Sequence, residues 1–230
     1  MLKKLTERAI LANKDYALLP DVVEKEILQH DIIAAMVEAG VFHKLTFIGD
    51  TSLRLCHNSS RLSEDLNFNA GHNFKPENFD GLETFIKSYI EKKYDIDVYV
   101  GKPDPEKQGH TSSWKISIEK EPNRPDLPRQ KMHIDVCAIP SFDIELKPPI
   151  NHYSLVVPTE SLLIPTQSLK ETLVDKFIAL AYRSRRIKPF HAYQNKESNA
   201  RQSSVLGLYA ISNPRVPREK NTSHRPKNIV

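Results

Sequence analysis

The chain has 230 residues, of which 39% are hydrophobic and 27% charged, and it contains only two cysteines. This length buries a core without disulfides, and the composition excludes a small disulfide-held scaffold, a collagen-like chain and a wholly disordered one. The longest unbroken apolar run is six residues, 32–37, far short of the roughly 20 that a membrane-spanning helix needs. The first 20 residues lack the apolar stretch of a secretory signal, so we expect a cytoplasmic protein.

Hydrophobic spacing predicts the elements in chain order. Helical spacing covers 21–39, and a short strand over 45–48 then turns into a short helix over 51–57. Alternation predicts strands at 65–68, 96–100, 114–118 and 132–136, with a helix over 76–93 before the second of them. A capping box at 168–171 predicts a last helix to about residue 186. This order favours a mixed α/β or α+β domain whose central sheet is covered by helices.

The basic excess of the chain lies at its end. The net charge is +4, and residues 190–230 alone hold seven Lys or Arg against two Asp or Glu. This segment has no sustained hydrophobic period, so we expect it to be a poorly ordered or degenerate tail.

Candidate metal ligands lie on two predicted strands. Asp65 and Asn67 are two residues apart and therefore share one strand face. Asp135, with His133 on the same face of a later strand, would add a third oxygen ligand. Such ligands suit Mg²⁺, which neutralises charge that develops in phosphoryl transfer. Taken alone, the pattern is also that of a solvated strand face.

The turn between the first strand and the next helix reads Gly49, Asp50, Thr51, Ser52. Backbone N–H groups at such a helix start can hold the phosphates of a nucleotide. Asp50 opposes this role, because a carboxylate repels phosphate unless a metal or a base shields it. An ordinary N-capped helix explains Thr51 and Ser52 equally well.

Lys176 falls on one stripe of the last predicted helix. The apolar members of this stripe are Leu169, Leu173, Phe177 and Leu180. The spacing predicts a lysine on the inward face of a core helix, where a buried ammonium needs an anionic partner such as Asp65, Asp135 or a bound phosphate. The alternative is that the long stem carries the charge to the rim.

Three ordered motifs together resemble the AbiEii/AbiGii toxin family of nucleotidyltransferase-like proteins, which includes the MenT-type toxins. They are FIGDTSLRL at 47–55, RLSEDLNF at 61–68 and LVDKFIAL at 173–180. The family pattern is approximately Gly-Gly-Thr-x-Leu-Arg, then Arg-x-Ser-x-Asp-Leu-Asp-Phe, then a helix centred on a lysine. The match covers about residues 20–189.

The resemblance implies a nucleotidyltransferase fold, and we expect a nucleotidyltransferase-like domain over 1–158, the start of a C-terminal helical region over 159–189 and the basic tail over 190–230. It implies that Asp65 and Asn67 hold Mg²⁺. With Asp135 as the third ligand from the neighbouring strand, we expect Asp65, Asp135 and Lys176 to be catalytic. The resemblance implies that the nucleotide is bound by Gly49, Thr51, Ser52, Ser63 and Lys176, and we expect Arg54 to bind it as well. The implied partners are an NTP, an RNA acceptor, specifically tRNA, and a cognate antitoxin, in a toxin–antitoxin or phage-defence system.

The sequence departs from the family pattern at three places. Asp50 replaces the second glycine of the turn, and Asn67 replaces the second aspartate, which removes one negative charge from the metal site. Residues 190–194 read FHAYQ where the family continues with an Arg-Asp motif, and we interpret the tail as a frame-shifted or degenerate end. The chain is therefore either an active Mg²⁺-dependent nucleotidyltransferase or an impaired relative that binds nucleotide, RNA or antitoxin without turnover.

Overall fold

A computed structural model describes residues 1–104, 110–121, 124 and 126–181. Its helices are α1 (Leu2–Ala12), α2 (Pro20–Glu38), α3 (Gly49–His57), α4 (Leu82–Tyr94) and α5 (Leu169–Ala181). Its strands are β1 (Thr46–Ile48), β2 (Leu66–Asn69), β3 (Val98–Gly101), β4 (Thr111–Ile118), β5 (Gln130–Cys137), β6 (Ile144–Lys147) and β7 (Ile164–Gln167). Within these ranges, no helix is both long enough and apolar enough to cross a membrane.

The seven strands form one mixed sheet in the order β3-β4-β5-β2-β1-β7-β6. β2 pairs parallel with β5, and β1 pairs parallel with β7, whereas the other neighbours are antiparallel. The expected mixed α/β fold with a central sheet flanked by helices is confirmed. The two strands that carry Asn67 and Asp135 are direct neighbours in this sheet.

One face of the sheet supplies the main core. Alternate residues of β2, β4 and β5, among them Phe68, Trp114 and Ile134, are fully buried, since the strand period of two sends them to the same side. α2 is buried along most of its length and packs beside α1 and α4. The opposite face of β3, β4 and β5 keeps polar and exposed side chains, which leaves that face of these three strands available for function.

Most predicted elements are present, with local differences. The helix predicted over 76–93 is divided into a 3-10 turn at Pro76–Phe79 and α4, because Gly81 adopts φ +89° between them. Helix α1 and strands β6 and β7 are not predicted from the sequence pattern. Cys56 and Cys137 form no disulfide bond, and both are buried, as small apolar residues are.

The domain boundary expected at 158 stays a prediction, and the sheet continues beyond it. β7 pairs with β1 and β6, so the sheet is completed only after that residue. The chain divides into two units, Met1–Leu173 and Val174–Val230, and the second is described only over 174–181. The expected tail over 190–230 and the sequence at 190–194 lie outside the described residues.

The predicted inward stripe of α5 is wrong. Leu169, Leu173, Phe177 and Leu180 are each more than half exposed, and Lys176 is exposed as well. The helical period identifies which residues share a face, but only the surrounding structure decides whether that face is covered. Of the two hydrogen bonds of the predicted capping box at the start of α5, one is formed: the Glu171 N–H donates to Ser168 Oγ at 3.1 Å. The Glu171 carboxylate instead accepts from the backbone N–H groups of Phe142 and Asp143.

Candidate active site

The pairing of β2 with β5 assembles a carboxylate site. Asn67 lies directly opposite Asp135 in the parallel ladder, next to the pair Leu66 and Ile134. Neighbouring strands lie about 4.8 Å apart, and residues in register point to the same face. Asp65, which immediately precedes β2, therefore lies beside His133 on the face that carries Asn67 and Asp135.

Asp65 is held by His133 of β5. The backbone N–H of His133 donates to Asp65 Oδ1 at 3.2 Å, and its Nδ1 lies 3.4 Å from the same oxygen. The hydrogen bond to Asp65 raises the pKa of His133 above its usual value, against the effect of burial. Both side chains remain partly exposed, so this carboxylate faces solvent while one of its oxygens is fixed.

Asp135 is held by a hydroxyl of the neighbouring strand. The Ser113 hydroxyl of β4 donates to its carboxylate from the register position opposite. Burial raises the pKa of Asp135, and the charge of Asp65 raises it further, while Ser113 and His133 lower it. Two carboxylates that share a partly buried face are destabilised unless a cation neutralises them. The arrangement therefore has the electrostatic character of a cation site.

The turn at the start of α3 packs against this site. Gly49 has φ +81°, a conformation that favours glycine, and a Cβ at this residue would lie 3.2 Å from Asn67 Nδ2. The missing side chain lets the turn approach β2 closely. The predicted phosphate-binding turn and the predicted metal ligands are thus brought together in one place.

Thr51 connects α3 to the segment that precedes β2 through hydrogen bonds of its hydroxyl. Its hydroxyl donates to the Asp65 carbonyl at 2.5 Å and lies 2.8 Å from Ser63 Oγ. Thr51 is fully buried and Ser52 nearly so. Both hydroxyl contacts of Thr51 are with the chain itself, and they fix the position of Asp65 relative to the turn. Nucleotide contacts for Gly49, Thr51, Ser52 and Ser63 stay a prediction.

Asp50 has the shielding base that its position requires. Arg61 Nη1 lies 3.1 Å from Asp50 Oδ2, and both side chains are partly exposed. The positive charge of Arg61 partly offsets the charge of the carboxylate at the helix start, which weakens its repulsion of a phosphate. Arg61 is the first residue of the RLSEDLNF motif, and the sequence alone assigns it no role.

Arg54 points away from the turn, into the core. Its Nε lies 3.1 Å from both carboxylate oxygens of Glu26 in α2, and the two side chains are almost fully buried. Its Nη1 donates to the Ser59 carbonyl at 3.0 Å and its Nη2 to the Tyr16 hydroxyl at 3.1 Å. This placement favours a structural role, the anchoring of α3, over the nucleotide contact expected from the sequence.

Lys176 lies in α5, within the second unit. Its role in catalysis and nucleotide binding stays a prediction.

The oxygen donors of the site fit Mg²⁺. In the part of the chain that the structure describes, no group of three His, Cys, Asp or Glu side chains could hold a metal ion. Asp65 and Asp135 are two carboxylates, and the Asn67 amide beside them is a third side chain with an oxygen donor. Mg²⁺ is commonly held by one or two carboxylates and completes its shell with water and substrate phosphates. The residues therefore fit the ion, with one charge fewer than three carboxylates would supply.

A family model matches residues 31–193, more than half of the chain. It describes a nucleotidyl transferase, the AbiEii toxin of a type IV toxin–antitoxin system. The chain belongs to this AbiEii family. The matched range contains all three motifs on which the resemblance rested, and the resemblance is confirmed.

The fold of this AbiEii chain is shared by a solved structure. MenT4, a nucleotidyltransferase toxin from Mycobacterium tuberculosis, superposes with a TM-score of 0.52 at 17% identity, over 80% of this chain and 59% of MenT4. JHP933 from Helicobacter pylori has a TM-score of 0.44 at 15% identity, over 69% of this chain and 56% of its own. No curated protein matches the chain in sequence. The chain thus spans little more than half the length of these neighbours.

Three side-chain partners of the candidate residues are not evident from the sequence pattern. Ser113 hydrogen-bonds Asp135, Arg61 pairs with Asp50, and Glu26 pairs with Arg54. The strand face of Ser113 could be predicted from the sequence. Ser113 and Lys115 flank the apolar Trp114, and the two-residue period of a strand therefore puts both on the polar face. The other two pairings join residues 11 and 28 positions apart, and only the fold brings them into contact.

Proposed function

We propose that this chain transfers a nucleotide from an NTP to an RNA acceptor, specifically tRNA, with Mg²⁺ bound at Asp65, Asn67 and Asp135. The observation that carries the proposal is the register of β2 and β5, which sets two carboxylates and an amide beside the glycine turn of α3. Membership of a nucleotidyltransferase family supports the same chemistry.

The chain's own residues have distinct tasks in this reaction. Backbone N–H groups at the start of α3 hold the triphosphate, since a helix start favours anions, and Arg61 supplies a positive charge beside them. Mg²⁺, when bound, neutralises phosphate charge and aligns the reacting oxygens. Lys176 is proposed to offset further phosphate charge.

The transfer forms one phosphodiester bond and breaks one phosphoanhydride bond. The 3′ hydroxyl of the acceptor attacks the α-phosphorus, pyrophosphate leaves, and the hydroxyl proton passes to the carboxylate pair. Ser113 holds Asp135 and His133 holds Asp65, so both carboxylates keep their orientation during the reaction. The proposed setting is cytoplasmic, with a cognate antitoxin as the protein partner.

Asn67 supports a second candidate function. An amide at this position lowers the negative charge of the site by one, and a chain that binds nucleotide, RNA or antitoxin without turnover is the alternative. The two candidates differ in whether phosphodiester bonds are formed.

The test is transfer of label from each of four α-labelled NTPs to total tRNA in the presence of Mg²⁺. We expect incorporation by the native chain and a loss of at least about 100-fold in Asp65→Ala, because the carboxylate pair is incomplete. Asp80→Ala, which removes an exposed carboxylate elsewhere, should transfer normally. Equal transfer by Asp65→Ala and the native chain would contradict the proposal.

Asn67→Asp separates the two candidate functions. Label from Asn67→Asp but none from the native chain would identify an impaired enzyme on an intact site. Asn73→Asp adds the same charge at an exposed loop position and is the matched control. If neither the native chain nor any of these variants transfers label, the result favours the binding role.

A further inference from the structure

The open face of the sheet continues from the carboxylate site across three strands. Beyond Asp65 and His133, the register places Lys115 of β4 opposite His133, and Gly101 of β3 opposite Lys115. One step along the strands, Lys131, Ser117 and Tyr99 form the next row. We call Tyr99, Lys115 and Lys131 the lysine face. Strand spacing places both lysines within about 10 Å of Asp65.

The three side chains of the lysine face are exposed. Tyr99 is 63% exposed, and its ring extends along β3 over Gly101, where a Cβ would lie 3.3 Å from both Cε1 and Oη. Lys115 and Lys131 are also exposed, and neither forms a salt bridge with any carboxylate of the described ranges. The glycine leaves the aromatic ring room to lie across the sheet.

The charges around this face favour a polyanion. The acidic groups next along the strands are Asp97 and Glu119, and Asp97 is paired with Arg129 at 2.8 Å. The Asp65 and Asp135 carboxylates lie at the other end, in the proposed Mg²⁺ site. The lysines thus form a positive strip that leads toward the place where the α-phosphate would react.

An exposed aromatic ring on a sheet indicates which kind of polyanion fits. Bases that are free of a duplex stack on aromatic side chains of sheet surfaces, while lysines contact the phosphates between them. A base-paired helix hides its base faces and would leave Tyr99 without a partner. Of the polyanions, a single strand uses both features of the face.

We propose that the lysine face binds the single-stranded end of a nucleic-acid acceptor and guides its terminal hydroxyl to the carboxylate site. Tyr99 stacks on a base, and Lys115 and Lys131 contact phosphates. The inference rests on the proposed function in that it takes an RNA as the acceptor, and it adds where that strand binds and that it is unpaired.

The test is binding of a fluorescently labelled 12-nucleotide RNA to the full chain, measured by anisotropy over a range of salt concentrations. Tyr99→Ala should weaken binding about fivefold to 100-fold, the loss of one stacked base. The double variant Lys115→Ala/Lys131→Ala should weaken binding and reduce the magnitude of the salt slope by about 1.4, or two phosphates of a single strand. Differences between variants cancel any contribution from the basic end of the chain.

The control variants remove the same kinds of side chain, one aromatic ring or two lysines, from other exposed positions. Phe142→Ala removes an aromatic side chain that is 84% exposed before β6, and Lys75→Ala/Lys92→Ala removes two exposed lysines near or in α4. Both should bind the RNA like the native chain. Thermal unfolding of every variant checks that the fold is retained.

Three outcomes would overturn the inference. They are unchanged RNA binding by the lysine-face variants, equal loss in the control variants, and binding of the matching duplex as tight as that of the single strand. Label transfer is measured on the same samples. If the lysine-face variants bind RNA normally while transfer still depends on Asp65, the acceptor strand binds elsewhere and the proposed function stands. If transfer is absent but the lysine-face variants lose RNA binding, the face stands and the enzymatic proposal fails.

Discussion

Arg61 Nη1 lies 3.1 Å from Asp50 Oδ2, so the carboxylate that replaces the second glycine of the turn is shielded by the first residue of the next motif. Loss of Arg61 would remove this ion pair from the carboxylate at the helix start that is proposed to hold a triphosphate. The pair makes this departure from the family pattern compatible with phosphate binding.

The Asp50–Arg61 pair predicts coupled effects on NTP affinity. Arg61→Ala should weaken binding about fivefold, roughly 1 kcal/mol, because Asp50 then loses its ion pair with Arg61. The same change in an Asp50→Ala background should have a smaller effect, since the repelling charge is gone. Calorimetric titration of the four chains with a non-hydrolysable NTP measures the coupling, and strictly additive effects would contradict it.

Substitution of Gly49 is predicted to be more damaging than substitution of Gly71, because Gly49 also packs against a neighbouring side chain. Both have positive φ, but only Gly49 faces a neighbour, Asn67 Nδ2 at 3.2 Å, whereas a Cβ at Gly71 meets nothing within 4 Å. Gly71→Ala should cost about 1–2 kcal/mol for the left-handed backbone. Gly49→Ala should cost more and also displace Asn67, which weakens Mg²⁺ binding. Denaturant unfolding and Mg²⁺ titration test both effects, and equal results for the two variants would refute the packing argument.

Arg54 is predicted to stabilise the fold. Arg54→Met leaves the Glu26 carboxylate buried without its partner, so the free energy of unfolding should fall by about 3–5 kcal/mol. The double variant Arg54→Met/Glu26→Leu should recover most of this loss, because no uncompensated charge remains. Denaturant unfolding is the measurement. A normally stable Arg54→Met that has lost NTP affinity would instead support the nucleotide contact.

The burial of His30 predicts that the free energy of unfolding falls at acidic pH. It is fully buried with Nδ1 2.5 Å from Thr159 Oγ1, and burial, followed by the nearby charges of His152, Lys93 and Arg54, lowers its pKa to about 4. The unfolded chain therefore binds a proton that the folded chain does not over the range from about pH 6.5 to 4.

Stability conferred by the neutral His30 should be complete above about pH 6.5 and fall by about 1.4 kcal/mol per pH unit toward pH 4. The measurement is the free energy of unfolding of the native chain minus that of His30→Gln at each pH. The exposed His43→Gln should retain the native pH dependence. A difference between the native chain and His30→Gln that stays constant across this range would show that His30 does not titrate as buried.

The hydrophobic periods of the sequence determined the strands and helices around the site. Alternation at 65–68 and 132–136 was enough to place Asp65 with Asn67, and Asp135 with His133, on strand faces, because the two-residue period is local. The motif at 47–55 was enough to place Gly49 at a strand-to-helix turn. These are properties of short segments, and the family resemblance built on them is confirmed.

Which segments meet was decided only in the tertiary structure. β6 and β7 are short and have no clear alternation, so they are recognised as strands only by their pairing in the sheet. The partners of Asp50, Arg54 and Asp135 likewise come from other segments of the chain. The apolar stripe of α5 shows the same limit, since its period is helical but its side chains are exposed. A sequence pattern fixes the direction of side chains along one element, whereas burial, ion pairs and the parallel register of β2 with β5 depend on long-range packing, which no local period encodes.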